Sequence, residues 1–225
     1  MEETKNNVKR AVIFDLDGTI LDTVWDITDN INLMLKDFGY AEVTVKEVRK
    51  FVGSGARKLV KDCVKIPLSE EQLDERLKVY NGYYTASVSP KTKVFDGIKE
   101  TVVALKKRGY KLAILTNKPQ ETTDTVYREH MSDFGFDEVV GQSGSVKCKP
   151  DKAATMRILD KFGVAPENAY FVGDGETDTI TAQNSGTQGI AVLWGYRDRE
   201  DLEKVGATVF AKTPEDLLSI IPEYS

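Results

Sequence analysis

Three aspartates fall within the ten residues "FDLDGTILDT", at positions 15, 17 and 22, directly behind the apolar run "AVIF". Carboxylates crowded this way raise one another's pKa and repel unless a cation or a proton lies between them. Strand alternation would turn Asp15 and Asp17 apart, so both can serve one site only where the chain bends. Gly18 permits the bend. Asp15 is then placed to act as a nucleophile and Asp17 as an acid or base, the division of labour that phosphoryl transfer through an aspartyl-phosphate requires. An isolated Asp-x-Asp-Gly is also common turn chemistry, so other sites must decide.

"FVGDGETD" at 171–178 repeats the arrangement, with Asp174 ending an apolar run and Asp178 one turn into the next helix. These two could share one cation. Carboxylate and carbonyl oxygens suit Mg²⁺, which takes one or two protein carboxylates and keeps room for a substrate phosphate. "LAILTNK" ends its run in Thr116 and Asn117, whose hydroxyl and N–H groups can hold phosphate oxygens near a helix N-terminus. In "KCKPDKAA", Lys149 precedes Pro150 at a helix start, where its charge can neutralise an attacking carboxylate and a phosphoryl group. Taken singly, the first pair is a helix cap and the lysine a solvated surface group.

The elements that must position these residues are legible as short apolar runs: 11–15, 111–116, 136–141, 169–174, 189–194 and 207–211. Alternation with helical patterns predicts an α/β fold, a Rossmann-like parallel sheet with helices on both faces. Ligands of such sheets sit at the strands' carboxyl ends. Residues 24–88 differ in texture. Ile27, Ile31, Met34, Leu35 and Phe38 fall at helical spacing with Gly39 as a stop, and "TVKE" and "SEEQ" fit capping boxes. Leu73, Leu77, Tyr80 and Tyr84 continue an apolar stripe, read as core packing. This predicts a small all-helical cap domain, residues 23–89, inserted after the first strand of a core formed by 1–22 and 90–225. Asp22–Val24 and Ser89–Val94 would be its hinges.

Composition narrows the classes. The 225 residues are 40% hydrophobic, with 31 basic and 36 acidic side chains and a net charge of −5, which gives no footprint for nucleic acid. A charged N-terminus and short apolar runs give no membrane span, so a cytoplasmic location is expected. Cys63, Cys148 and a single His130 are too few for a disulfide framework or a structural zinc site. Nothing in these patterns fixes an oligomeric state.

The motifs "DLDGT", "TN", "KP" and "GDGETD", in this order and each at or just after a strand end, resemble the haloacid dehalogenase (HAD) superfamily over nearly the whole chain. The resemblance implies a phosphorylated nucleophile at Asp15, a general acid and base at Asp17, and Mg²⁺ held by Asp15, the Asp17 carbonyl and Asp174. Asp178 would support the metal through water. Thr116 and Asn117 would hold phosphoryl oxygens, and Lys149 would bridge Asp15 and the transferring group, with Lys147 as its substitute. A carboxylate two residues after the nucleophile implies phosphate rather than halide chemistry. The helical insert is similar to the cap of the phosphoglycolate phosphatase-like branch, particularly at "FVGSGARKLV". There Gly53, Ser54 and Gly55 would let backbone approach a ligand, and Arg57, Lys58 or Lys61 could attract the acidic end of a small phosphorylated metabolite. A solvated helix face explains those three cations equally well. Pyrophosphate hydrolysis and a β-phosphoglucomutase-type transfer use the same constellation. A phospho-accepting receiver or binding module is the alternative from another class, although its parts come in another order.

Overall fold

A computed structural model describes residues 8–87, 89–144 and 146–223. Its centre is a six-stranded parallel sheet in the order β5-β4-β1-β6-β7-β8. The strands are β1 (Ala11–Phe14), β4 (Lys111–Pro119), β5 (Glu138–Gln142), β6 (Ala169–Gly173), β7 (Gln188–Val192) and β8 (Phe210–Ala211). Every apolar run singled out in the sequence is therefore a strand of one sheet. The chain moves outward from β1 through β4 to β5, then crosses back to β6 and continues outward on the other side. The reversal between β1 and β6 is the kind of switch point where open α/β sheets bind ligands.

Alternation along the strands divides the core. Val12, Phe14, Leu112 and Ile114 face one hydrophobic cluster with Ile98, Val102 and Leu105 of α5 (Ile98–Lys107) and Leu217 of α10 (Asp216–Ile220). Ala11, Ile13, Ala113 and Leu115 face the other, with Ile158 and Leu159 of α7 (Ala153–Phe162) and Ala182 of α8 (Glu176–Ser185). Both faces are thus covered by helices. Each fully buried Ile, Leu or Phe contributes about 1.5–3 kcal/mol, which fixes strand register and with it the positions of the strand ends.

Between a short strand β2 (Leu21–Asp22) and its antiparallel partner β3 (Lys93–Val94) lie four helices. They are α1 (Val24–Asp37), α2 (Val45–Phe51), α3 (Ala56–Val64) and α4 (Glu70–Ala86). Thr44 and Ser69 cap α2 and α4 in reciprocal capping boxes, as their sequences predict. The helices pack on one another through Ile31, Met34, Val48, Leu59 and Leu73, and this cluster is continuous with one face of the sheet. The two chain crossings lie side by side in the β2–β3 pair, and buried Asp26 of α1 accepts hydrogen bonds from the Lys91 N–H and the Thr92 hydroxyl. No helix among the described residues is long and apolar enough to cross a membrane.

Candidate active site

The carboxyl ends of β1, β4 and β6 meet under the four helices. Past β1, Asp15 still donates its N–H to Val172 of β6 at 2.8 Å, so its position is an extension of the sheet. The chain then coils tightly. The Leu16 carbonyl accepts N–H bonds from Ile20 and Leu21, both at 3.0 Å, and Gly18 sits at φ +89° with its N–H on Leu21 O at 2.8 Å. That loop aims Asp17 at the helical insert while Asp15 stays at the carboxyl end of β1. A Cβ on Gly18 would collide with the Asp174 carboxylate, and one on Gly195 would strike Asp174 from another side. Asp174 is therefore gripped by backbone that only glycine allows. Its oxygens accept the Thr19 hydroxyl at 3.2 Å and the Tyr196 N–H at 2.7 Å.

Asp15, Asp174 and Asp178 are all buried, and each offers a carboxylate oxygen within 4.8 Å of the others. Lys149 lies between two of them, its Nζ 2.6 Å from Asp15 Oδ1 and 2.6 Å from Asp178 Oδ1. The second oxygen of Asp178 accepts the Gly175 N–H at 2.9 Å, at the start of α8. Burial, followed by the negative charge of Asp178, holds the Asp15 carboxyl well above its ordinary range against the opposing pull of Lys149. The same two causes push Asp174 up to about 7. Burial alone would depress Lys149, but the charges of Asp15 and Asp178 outweigh it and raise the ammonium's pKa. One lysine thus does not satisfy three carboxylates. The cluster could hold a metal ion, and its all-oxygen donor set fits a hard divalent cation.

Asp17 has its own partners. Oδ1 accepts the Thr23 hydroxyl at 2.7 Å, and Lys118 Nζ lies 2.9 and 3.1 Å from the two oxygens. Thr116, also buried, lines the adjoining cavity and accepts the Lys118 N–H at 3.2 Å. The register of β4 against β5 shifts between Leu115 and Pro119, which turns the strand's last residues into the site.

Asn117 sits at the site, but its amide is engaged with backbone. Nδ2 donates to Gly53 O at 2.9 Å and Lys149 O at 3.1 Å, while Oδ1 accepts the Lys149 N–H at 2.7 Å. Its side chain thereby fixes the loop carrying Lys149. Lys149 itself precedes α7 by several residues rather than opening it. Lys147 is a poor substitute, because its side chain is 77% exposed and paired with Asp151 at 3.5 Å. Gly53 and Gly55 reach the cavity wall. Arg57 does not, contrary to its expected role: Glu70 and Asp74 hold its guanidinium on the exposed side of α3 and α4. Ser54 is likewise absent from the lining, Lys58 pairs with Asp62 at 2.6 Å, and Lys61 is exposed.

Sequence reasoning missed Lys118, Tyr80 and Tyr84. Both tyrosines, read as core, are buried and line a cavity of about 500 Å³, open mouth included. The signal for Lys118 was a lysine directly continuing an apolar strand beside Thr116 and Asn117. The Tyr196 hydroxyl accepts the Thr23 N–H at 2.8 Å, while Arg49 donates to the Gly195 and Tyr196 carbonyls and Arg197 to the Arg49 and Val52 carbonyls. These bonds pin the helices over the strand ends, and local sequence gave no sign of them.

A family model described as haloacid dehalogenase-like hydrolase matches residues 12–192. Phosphoglycolate phosphatase 1 of Pseudomonas aeruginosa is 31% identical over 214 residues, covering 93% of this chain and 78% of the relative. A phosphoglycolate phosphatase of Aquifex aeolicus is 32% identical over 187 residues, 83% and 86% of the respective chains. Among solved structures, a haloacid dehalogenase-like family hydrolase from Streptococcus pneumoniae superposes with a TM-score of 0.81 at 26% identity, covering 95% of this chain and 99% of that one. With the strand-end aspartates and Lys149 gathered at the switch point of the sheet, and with these likenesses spanning the chain, the protein belongs to the haloacid dehalogenase-like hydrolase family.

Proposed function

We propose that this protein is a Mg²⁺-dependent phosphatase that removes phosphate from a small phosphomonoester through an aspartyl-phosphate on Asp15, with phosphoglycolate as the substrate. The observation that carries the reading is the convergence of buried Asp15, Asp174, Asp178 and Lys149 beside Asp17. The names of the relatives support a small metabolite.

Asp15, the Asp17 carbonyl and Asp174 would hold the Mg²⁺, which when bound offsets the carboxylate charge and that of the phosphoryl oxygens. Lys149 anchors Asp15 Oδ1 and keeps the nucleophile in one orientation. Charge in the transition state spreads over three equatorial oxygens, so Lys149, the Thr116 hydroxyl and the Asn117 N–H act by position and electrostatics. Asp17 gives its proton to the departing alkoxide and later removes one from the water that opens the aspartyl-phosphate. Its bonds to Thr23 and Lys118 fix the carboxyl between nucleophile and cap.

A receiver module does not suit this sheet. Receivers follow the order 2-1-3-4-5, whereas the strands here, counted by position in the large sheet, run 3-2-1-4-5-6. The test is phosphate release from a panel containing phosphoglycolate, pyrophosphate and sugar phosphates, with Mg²⁺ and with chelator. Mg²⁺-dependent release from phosphoglycolate is expected, and Asp15→Asn should abolish it in a folded protein. Wild-type rates in that variant would refute the nucleophile, and conversion of glucose 1-phosphate to glucose 6-phosphate without phosphate release would favour a mutase.

A further inference from the structure

Phosphoryl chemistry accounts for Asp15, Asp174, Asp178 and Lys149, but holding Asp17 uses only part of a second buried lysine beside them. Lys118 Nζ pairs with Asp17, its side chain only 5% exposed, and lies 4.4 Å from the ring centroid of Tyr84 on α4. It is the sole cationic side chain among the described residues lining the cavity. The four helices add Ile27, Ala56, Leu59, Tyr80 and the neutral Asn81 to the lining, and no charged side chain. An ammonium has three donors, and Asp17 engages two of them, so at least one remains for a ligand.

Position indicates which part of a ligand that donor meets. Asp15 and Lys149 mark the phosphoryl half of the site, and Asp17 must face the oxygen that leaves. Lys118 lies beyond Asp17, between it and α4, and hence on the leaving-group half. In a two-carbon 2-hydroxy acid the carboxylate carbon stands only two bonds from the bridging oxygen, roughly 2.5 Å, which places its oxygens within reach of such an ammonium. Without Lys118, an anionic leaving group would meet no cationic side chain on this wall, only neutral polar and apolar groups, and its charge would be desolvated without a partner. The four helices offer no substitute, since none of their described cations lines the cavity and Arg57 and Lys58 are paired on the outer surface.

We propose that Lys118, from the core strand β4 rather than from the cap, is the residue that reads a carboxylate on the leaving group and so selects phosphorylated 2-hydroxy acids over neutral phosphate esters. This rests on the phosphatase reading and adds the selecting residue to it.

The experiment compares phosphoglycolate with 2-hydroxyethyl phosphate, its isostere in which the carboxylate is replaced by CH₂OH, using wild-type protein, K118M, K118Q and K118R. Removing the partner of a desolvated charge should cost K118M and K118Q on the order of 30-fold or more in kcat/KM for phosphoglycolate, beyond their loss on the neutral ester. Most of that difference should lie in KM, and K118R should keep the preference for the acid. Parallel losses on the two esters would overturn the proposal, because a lysine that merely positions Asp17 affects both alike. Should K118M fail to fold, an undiminished acid preference in K118Q overturns it equally. A wild-type enzyme that leaves phosphoglycolate intact refutes the substrate instead. The pair 2-phosphoglycerate and glycerol 2-phosphate, which keeps the carboxylate two bonds from the bridging oxygen, then decides on Lys118 by the same ratio.

Discussion

Replacing Lys149 with Met tests the electrostatics of the cluster apart from turnover. The ammonium is 1% exposed and touches Asp15 and Asp178 at 2.6 Å each, and Met has a similar length, so the change removes charge with little change in packing. Breaking a buried pair by deleting one partner is worth about 3–5 kcal/mol of stability. For a chain of this size that lowers Tm by roughly 6–20 °C. The loss should depend on pH. Asp15 already lies well above its ordinary range and Asp174 at about 7, and without Lys149 both rise further. Between about pH 4, the unfolded carboxyl value, and the raised folded value, the native state binds more protons than the unfolded one, so stability falls as pH rises. The penalty of K149M should therefore be small near pH 5, where the cluster can protonate, and larger at pH 8. Thermal melts of wild type and variant in chelator at several pH values measure it. An equal difference in Tm at pH 5 and pH 8, or none at all, would refute the argument that Lys149 offsets crowded carboxylates.

Other expectations follow from the same geometry. In metal-free protein at pH 8, adding Mg²⁺ to 100 times its Kd should stabilise by about 2.7 kcal/mol, read as a rise in Tm, and Asp174→Asn should abolish that rise. Gly18→Ala should remove activity and destabilise by about 1–3 kcal/mol, since φ is +89° and the new methyl meets Asp174; a fully active variant would show that the loop can move aside. Arg57→Ala should change KM equally for acidic and neutral esters because Glu70 and Asp74 hold that guanidinium outside the cavity, and a selective rise for acids would contradict this placement.

Local sequence was enough for the scaffold. The six strands follow from apolar runs whose burial on both faces demands continuous hydrophobicity, and α2 and α4 follow from capping boxes whose atoms are three residues apart. Asp15, Asp174 and Asp178 were legible for the same reason, each just past a readable strand or in the first turn of the helix behind it. Tertiary structure decided the rest. Asp15 and Lys149 are distant in sequence and meet only because β1 and β4 are neighbours, with Asn117 holding the loop of Lys149 against β4. Whether a cation on the four helices faces the cavity or solvent depends on the carboxylates that α4 sets opposite α3, which turned Arg57 outward. Lys118 faces inward because β4 slips register after Leu115 and presents it to Asp17 and Tyr84. Periodicity records which residues are buried, whereas the partner that each buried charge meets is set by contacts between segments far apart in the chain.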